Sequence, residues 1–135
     1  MSANIKSALL VDDAKLMRNL LKGELLSIYG TIRTYEAGTG EEALAIYNDY
    51  DCDVVFLDVN MPGIGGIETL NRIREQDPNA IVVMVTSDGS KELVIKAISL
   101  GARGYVTKPF SKLSIMRAVE NAFKLADQMD NKVVV

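Results

Sequence analysis

Five side chains far apart in the sequence carry chemistry that fits together: Asp12, Asp13, Asp58, Thr86 and Lys108. Three of them are carboxylates, which repel one another at close range and keep their charges only where a cation compensates. Carboxylate and hydroxyl oxygens are hard donors of the kind magnesium favours, with manganese as a possible substitute. None of the five offers the thiolate or imidazole that zinc or copper prefers. The lysine ammonium and the threonine hydroxyl suit an anion with several oxygens. Phosphoryl transfer consists mostly of positioning and charge neutralisation, and a carboxylate nucleophile, a divalent cation and a lysine supply both. The chain contains no histidine, so phosphohistidine on this chain is excluded and the acceptor has to be another residue.

Taken singly, each has an ordinary role. An Asp after a strand forms turns, a threonine at a strand end favours extended backbone, and a lysine is a solvated surface charge. Their meaning depends on the elements that position them. Short strand-like runs occur at Ala8–Val11, Ile32–Glu36, Val54–Leu57, Ile81–Val85 and Gly104–Val106. The third and fourth are continuously apolar, as strands covered on both faces are. Between the runs lie helical patterns. Met17, Leu20, Leu21, Leu25 and Ile28 follow the spacing of one buried helix face. Thr39-Gly40-Glu41-Glu42 reads as a capping box opening a second helix through Ala43, Leu44 and Ile46. Ile67, Leu70, Ile73 and Arg74 mark a third, stopped before Pro78. Leu93, Val94, Ala97 and Ile98 mark a fourth, ended by Gly101. Ser111 caps a fifth, which turns Met116, Val119, Phe123 and Ala126 inward.

This β-α alternation predicts an α/β fold: a single doubly wound, five-stranded parallel sheet with five helices, flavodoxin-like in architecture. Ligands of such sheets bind beyond the carboxyl ends of the strands. Asp12-Asp13 follow strand one, Asp58 follows strand three, Thr86 ends strand four and Lys108 follows strand five. One edge thus collects all five groups, with Asp58 on the central strand as the best-placed nucleophile. The domain is expected to span residues 1–128, leaving 129–135 as a short C-terminal tail.

The motifs Leu10-Val11-Asp12-Asp13-Ala14, Leu57-Asp58-Val59-Asn60-Met61-Pro62-Gly63, Val85-Thr86-Ser87 and Tyr105-Val106-Thr107-Lys108-Pro109-Phe110 resemble those of response regulator receiver domains. The resemblance runs from about Ala8 to about Ala126 and is strongest to the stand-alone receivers of chemotaxis. It implies that Asp58 accepts a phosphoryl group from a histidine kinase or phosphotransfer protein. It implies that Asp13 holds magnesium directly, Asp12 partly through water, and Asn60 through its backbone carbonyl. Lys108 would pair with the phosphoryl group, and the Lys108-Pro109 bond would be cis. Thr86 would turn toward the phosphoryl oxygens and Tyr105 would follow into the vacated space. The strand order would be 2-1-3-4-5. Asp88, two residues after Thr86, either orients a hydrolytic water or caps the fourth helix.

Phosphorylation adds nearly two negative charges and three acceptor oxygens, enough to reposition a neighbouring hydroxyl. A protein target is expected on the face of the fourth helix, fifth strand and fifth helix, where Lys91, Glu92, Lys96, Arg103, Tyr105 and Lys112 are expected to be exposed. The net charge of −3 argues against direct nucleic-acid binding. One cysteine, Cys52, excludes an internal disulfide. No apolar run reaches the roughly 18–20 residues of a membrane span, and the first residues lack a signal-peptide core. These features predict a cytoplasmic protein without membrane insertion, and the resemblance adds the expectation of a monomeric phosphoacceptor rather than an enzyme. Other readings are the receiver portion of a longer regulator, or a phosphate sink or relay intermediate. A haloacid-dehalogenase-type phosphohydrolase is disfavoured, since it needs an acid at position 60, where Asn60 stands. A flavodoxin-like cofactor binder is disfavoured because Asp12-Asp13-Ala14 would repel phosphate.

Overall fold

The computed structural model describes residues 4–134, with side chains described through residue 127. Strands and helices alternate: β1 (Ser7–Val11), α1 (Lys15–Tyr29), β2 (Arg33–Ala37), α2 (Gly40–Tyr50), β3 (Val54–Leu57), α3 (Gly65–Gln76), β4 (Val82–Thr86), α4 (Lys91–Ser99), β5 (Gly104–Thr107) and α5 (Lys112–Val134). The strands form one parallel sheet in the order β2-β1-β3-β4-β5, the order the resemblance implies. α5 carries its helical backbone through residues 129–134, the stretch set apart as a tail on sequence.

Alternation along each strand splits the core in two. Leu9, Val11, Val55, Leu57, Val82 and Met84 face one side, under Ala43 and Tyr47 of α2, Leu70 and Ile73 of α3 and Ala97 of α4. Ala8, Leu10, Val54, Phe56, Val83 and Val85 face the other, under Leu21 and Leu25 of α1 and Ile115, Val119 and Ala122 of α5. Each buried Val, Leu or Phe contributes about 1.5–3 kcal/mol, so the two layers hold the central strands β1, β3 and β4 firmly.

Local signals set the helix ends. Thr39 accepts the Glu42 N–H at 3.2 Å, closing the expected N-cap of α2. At the start of α5 the Ser111 hydroxyl accepts the Ser114 N–H at 3.1 Å, while the Ser114 hydroxyl accepts the Ser111 N–H at 2.9 Å. Gly101 follows α4 with φ +103°, a backbone region that favours glycine. α3 stops at Gln76, ahead of Pro78.

Several expectations are corrected. Leu20, Ile98 and Met116 are exposed, not inward. The helical spacing admits them, but the buried stripes are narrower and centre on Leu21/Leu25, Ala97 and Ile115/Val119. Arg103 and Tyr105 are half-buried, because β5 is partly covered by its neighbours. Ile32 and Ile81 lie just before their strands, and β4 and β5 reach one residue further, to Thr86 and Thr107.

Candidate functional site

The order reverses between β1 and β3, and the crevice of the fold opens there. Val11 and Leu57 are register partners, so the residues that follow them leave the sheet side by side. The Asp58 N–H donates to the Val11 carbonyl at 2.9 Å, and the Asp12 N–H donates to the Ala37 carbonyl at 3.1 Å. On the other side Thr86 pairs with Thr107, and the Lys108 N–H donates to the Thr86 carbonyl at 2.8 Å. Strand register alone therefore delivers Asp12, Asp58 and Lys108 to one place.

The side chains meet there. Lys108 Nζ donates to Asp12 Oδ2 at 2.7 Å and to Asp58 Oδ2 at 3.3 Å. Asp12 Oδ1 accepts the Ala14 N–H at 2.9 Å, and Asp58 Oδ1 accepts the Asn60 N–H at 3.2 Å. One carboxylate oxygen from each of Asp12, Asp13 and Asp58 lies within 4.8 Å of the other two. Asp12 and Asp58 are buried, while Asp13 is exposed. Behind Asp58, Gly66 packs so closely that a Cβ there would run into the Asp58 carbonyl oxygen. The Lys108-Pro109 bond is cis.

Charge is concentrated in this crevice. Burial pushes the Asp58 carboxyl above its ordinary value; Lys108 and the Asn60 N–H oppose the shift, and Asp12 adds to it. Burial pulls the Lys108 ammonium down, but its contacts with Asp12 and Asp58 prevail and hold it above its ordinary value. Three hard oxygens with one exposed flank suit an octahedral ion that keeps several waters, so the donor set fits magnesium.

Not every expected residue joins the cluster. Thr86 is fully buried, and its hydroxyl accepts the Asp88 N–H at 3.2 Å, whereas only its backbone carbonyl bonds to Lys108. The Tyr105 hydroxyl donates to the Asp88 carbonyl at 2.6 Å. Thr86 and Tyr105 thus grip the same residue from its two backbone groups. The Asp88 carboxylate accepts the Ser90 N–H at 2.9 Å, a contact in the turn before α4.

One residue escaped the sequence reading. Arg18, on α1, donates from Nη1 to the Asp12 carbonyl at 2.6 Å and from Nε to Glu36 Oε1 at 2.9 Å. A charged residue bordering the apolar stripe of α1 was the available signal, but its partners lie on other elements.

Comparison with known proteins gives a consistent picture. Residues 8–120 match the response regulator receiver domain family. The chemotaxis protein CheY of Halobacterium salinarum is 46% identical over 116 residues, covering 86% of this chain and 95% of the relative. A solved complex of CheX and CheY with BeF3 and Mg2+ from Borrelia burgdorferi matches with TM-score 0.82 at 31% identity, covering 87% of this chain and 88% of that one. NtrX from Brucella abortus matches with TM-score 0.83 at 31% identity, covering 99% of this chain but 30% of the longer NtrX chain. The parallel sheet has its counterpart in the solved structures, and the family match spans most of the chain: the chain belongs to the response regulator receiver domain family and is related to CheY.

Proposed function

We propose that this chain is a single-domain response regulator that accepts a phosphoryl group on Asp58 and signals to a protein target, in a chemotaxis-type pathway. The observation that carries this reading is the Asp12–Asp13–Asp58 cluster with Lys108 bridging two of its members. The donor is a histidine kinase or a phosphotransfer protein. An Asp58 oxygen attacks phosphorus, the P–N bond of the donor phosphohistidine breaks as the O–P bond forms, and the product is an acyl phosphate. Lys108 opposes the upward push of burial on the Asp58 carboxyl and then faces the new negative charge. Asp12 and Asp13, with Asp58 and the Asn60 carbonyl, would hold Mg2+, or Mn2+ in its place. The ion would supply neutralisation of phosphoryl charge.

Output follows from Thr86 and Tyr105. A phosphoryl oxygen that draws the Thr86 hydroxyl breaks its bond to Asp88, and Tyr105 holds that same residue from the α4–β5–α5 face. A target that prefers the switched arrangement then shifts the equilibrium by its differential affinity. The chain acts in the cytoplasm as a monomer, without contacting nucleic acid or inserting in a membrane; among the described residues, no helix is long and apolar enough to cross one. The match to NtrX favours a second reading, in which the same chemistry serves as the receiver portion of a longer regulator. Labelling by a phosphorylated kinase tests the proposal: the chain should take up the phosphoryl group in a Mg2+-dependent manner. Undiminished labelling of Asp58→Asn would remove Asp58 from its role. Capture of targets with and without beryllofluoride separates motility components from relay partners.

A further inference from the structure

We infer that Arg18, braced by Glu36, is a positioning residue that sets the Asp13 carboxylate for the divalent cation. The inference rests on the phosphoacceptor reading above and adds to it how the exposed ligand is aimed.

Asp12 is fixed on every side. Its N–H donates to Ala37, its two carboxylate oxygens accept from Ala14 and Lys108, and its carbonyl accepts from Arg18. Asp13 is different. It is exposed, and no hydrogen bond holds its carboxylate among the described residues. The backbone position from which that carboxylate reaches the ion is therefore placed by the Asp12–Asp13 peptide plane. The side chain that grips this plane is Arg18, at 2.6 Å from its carbonyl oxygen. Arg18 is itself held by Glu36 at the end of β2, and its side chain is only 17% exposed. A guanidinium presents its donors in a rigid planar fork, whereas an ammonium is a point charge on a flexible stem.

Charge alone makes the opposite prediction. A cation beside an acidic cluster disfavours a second cation, so deleting Arg18 as a mere charge would tighten Mg2+ binding. Deleting it as a brace loosens binding, as loss of groups that orient metal ligands usually does, by about tenfold. The sign of the change separates the two accounts.

The test is calorimetric titration of Mg2+ alone into the unphosphorylated chain, with thermal unfolding as a check on folding. Arg18→Met should bind Mg2+ about tenfold more weakly than the unsubstituted chain. Arg18→Lys, which keeps the charge and loses the fork, should also bind more weakly. Labelling by phosphoramidate should need more Mg2+ for half-maximal rate in both variants, with the maximal rate recovered at saturation. Equal or tighter Mg2+ binding by Arg18→Met overturns the inference. Should Arg18→Met fail to fold, Arg18→Lys decides, and an unchanged affinity overturns it. Absence of Mg2+ binding by the unsubstituted chain removes the phosphoacceptor reading as well, which distinguishes the two failures.

Discussion

Asp58→Asn should make the metal-free protein more stable at neutral pH. Each carboxylate pair in the cluster approaches within 4.8 Å. At an effective dielectric of about 20, that separation costs at least about 3.5 kcal/mol per pair. Lys108, 3.3 Å from Asp58 Oδ2, returns about 5 kcal/mol on the same scale. The exposed Asp13 is screened by water, so attraction and repulsion nearly cancel, and the burial of an ionised Asp58 decides the sign. Burial is the leading cause that raises its carboxyl. A neutral amide of the same shape should therefore be the more stable at pH 7. For a chain of this length each kcal/mol gained is about 3–4 °C in melting temperature. The sign of the pH dependence follows. A carboxyl raised in the folded state binds more protons there, so its cost is absent below the unfolded value near 3.8 and grows as pH rises through the folded value. The advantage of Asp58→Asn should thus fade as pH falls toward 4. Thermal unfolding by circular dichroism in EDTA, from pH 4 to 8, measures it. A variant that melts at or below the unsubstituted protein at pH 7, or an advantage independent of pH, would refute the electrostatic account.

Saturating Mg2+ should reverse the ranking: at a concentration of 100 times Kd the unsubstituted protein gains about 2.7 kcal/mol, and the variant, short of one charged ligand, should gain less in the same melts. Lys108→Ala should abolish labelling by a phosphodonor while leaving Mg2+ binding intact or tighter, because a competing cation is gone; calorimetry and labelling read the two separately. Gly66→Ala should destabilise by about 1–3 kcal/mol, since its Cβ meets the Asp58 carbonyl, and denaturant titration shows it. Burial pushes the Cys52 thiol up to about 11, so a thiol reagent at pH 8 should label it only after unfolding.

The sheet and its crevice were legible because they rest on local patterns. Apolar runs such as Val54–Leu57 suit strands of a parallel sheet covered on both faces, and the acids and lysine sit at strand ends. What escaped was contact between elements. Leu20, Ile98 and Met116 obey helical spacing, yet whether a flanking position is covered depends on where the neighbouring helix lies. Arg18 reads as a surface charge until β2 brings Glu36 against it. Likewise, nothing in the sequence ties Thr86 and Tyr105 to opposite backbone groups of Asp88, because those bonds form only once β4, β5 and the turn before α4 are assembled.

The depth of Asp58 has a further consequence for timing. With 5% of its surface exposed, Asp58 meets solvent over a small area, close to the exposed Asp13. Under the proposed phosphoacceptor role, a donor has to bring its phosphorus to that small area. A hydrolytic water must enter by the same route, in line with the bond it breaks. On that reading, who may write the signal and how long it endures depend on the same small opening. Side chains that narrow it should slow both entry and erasure.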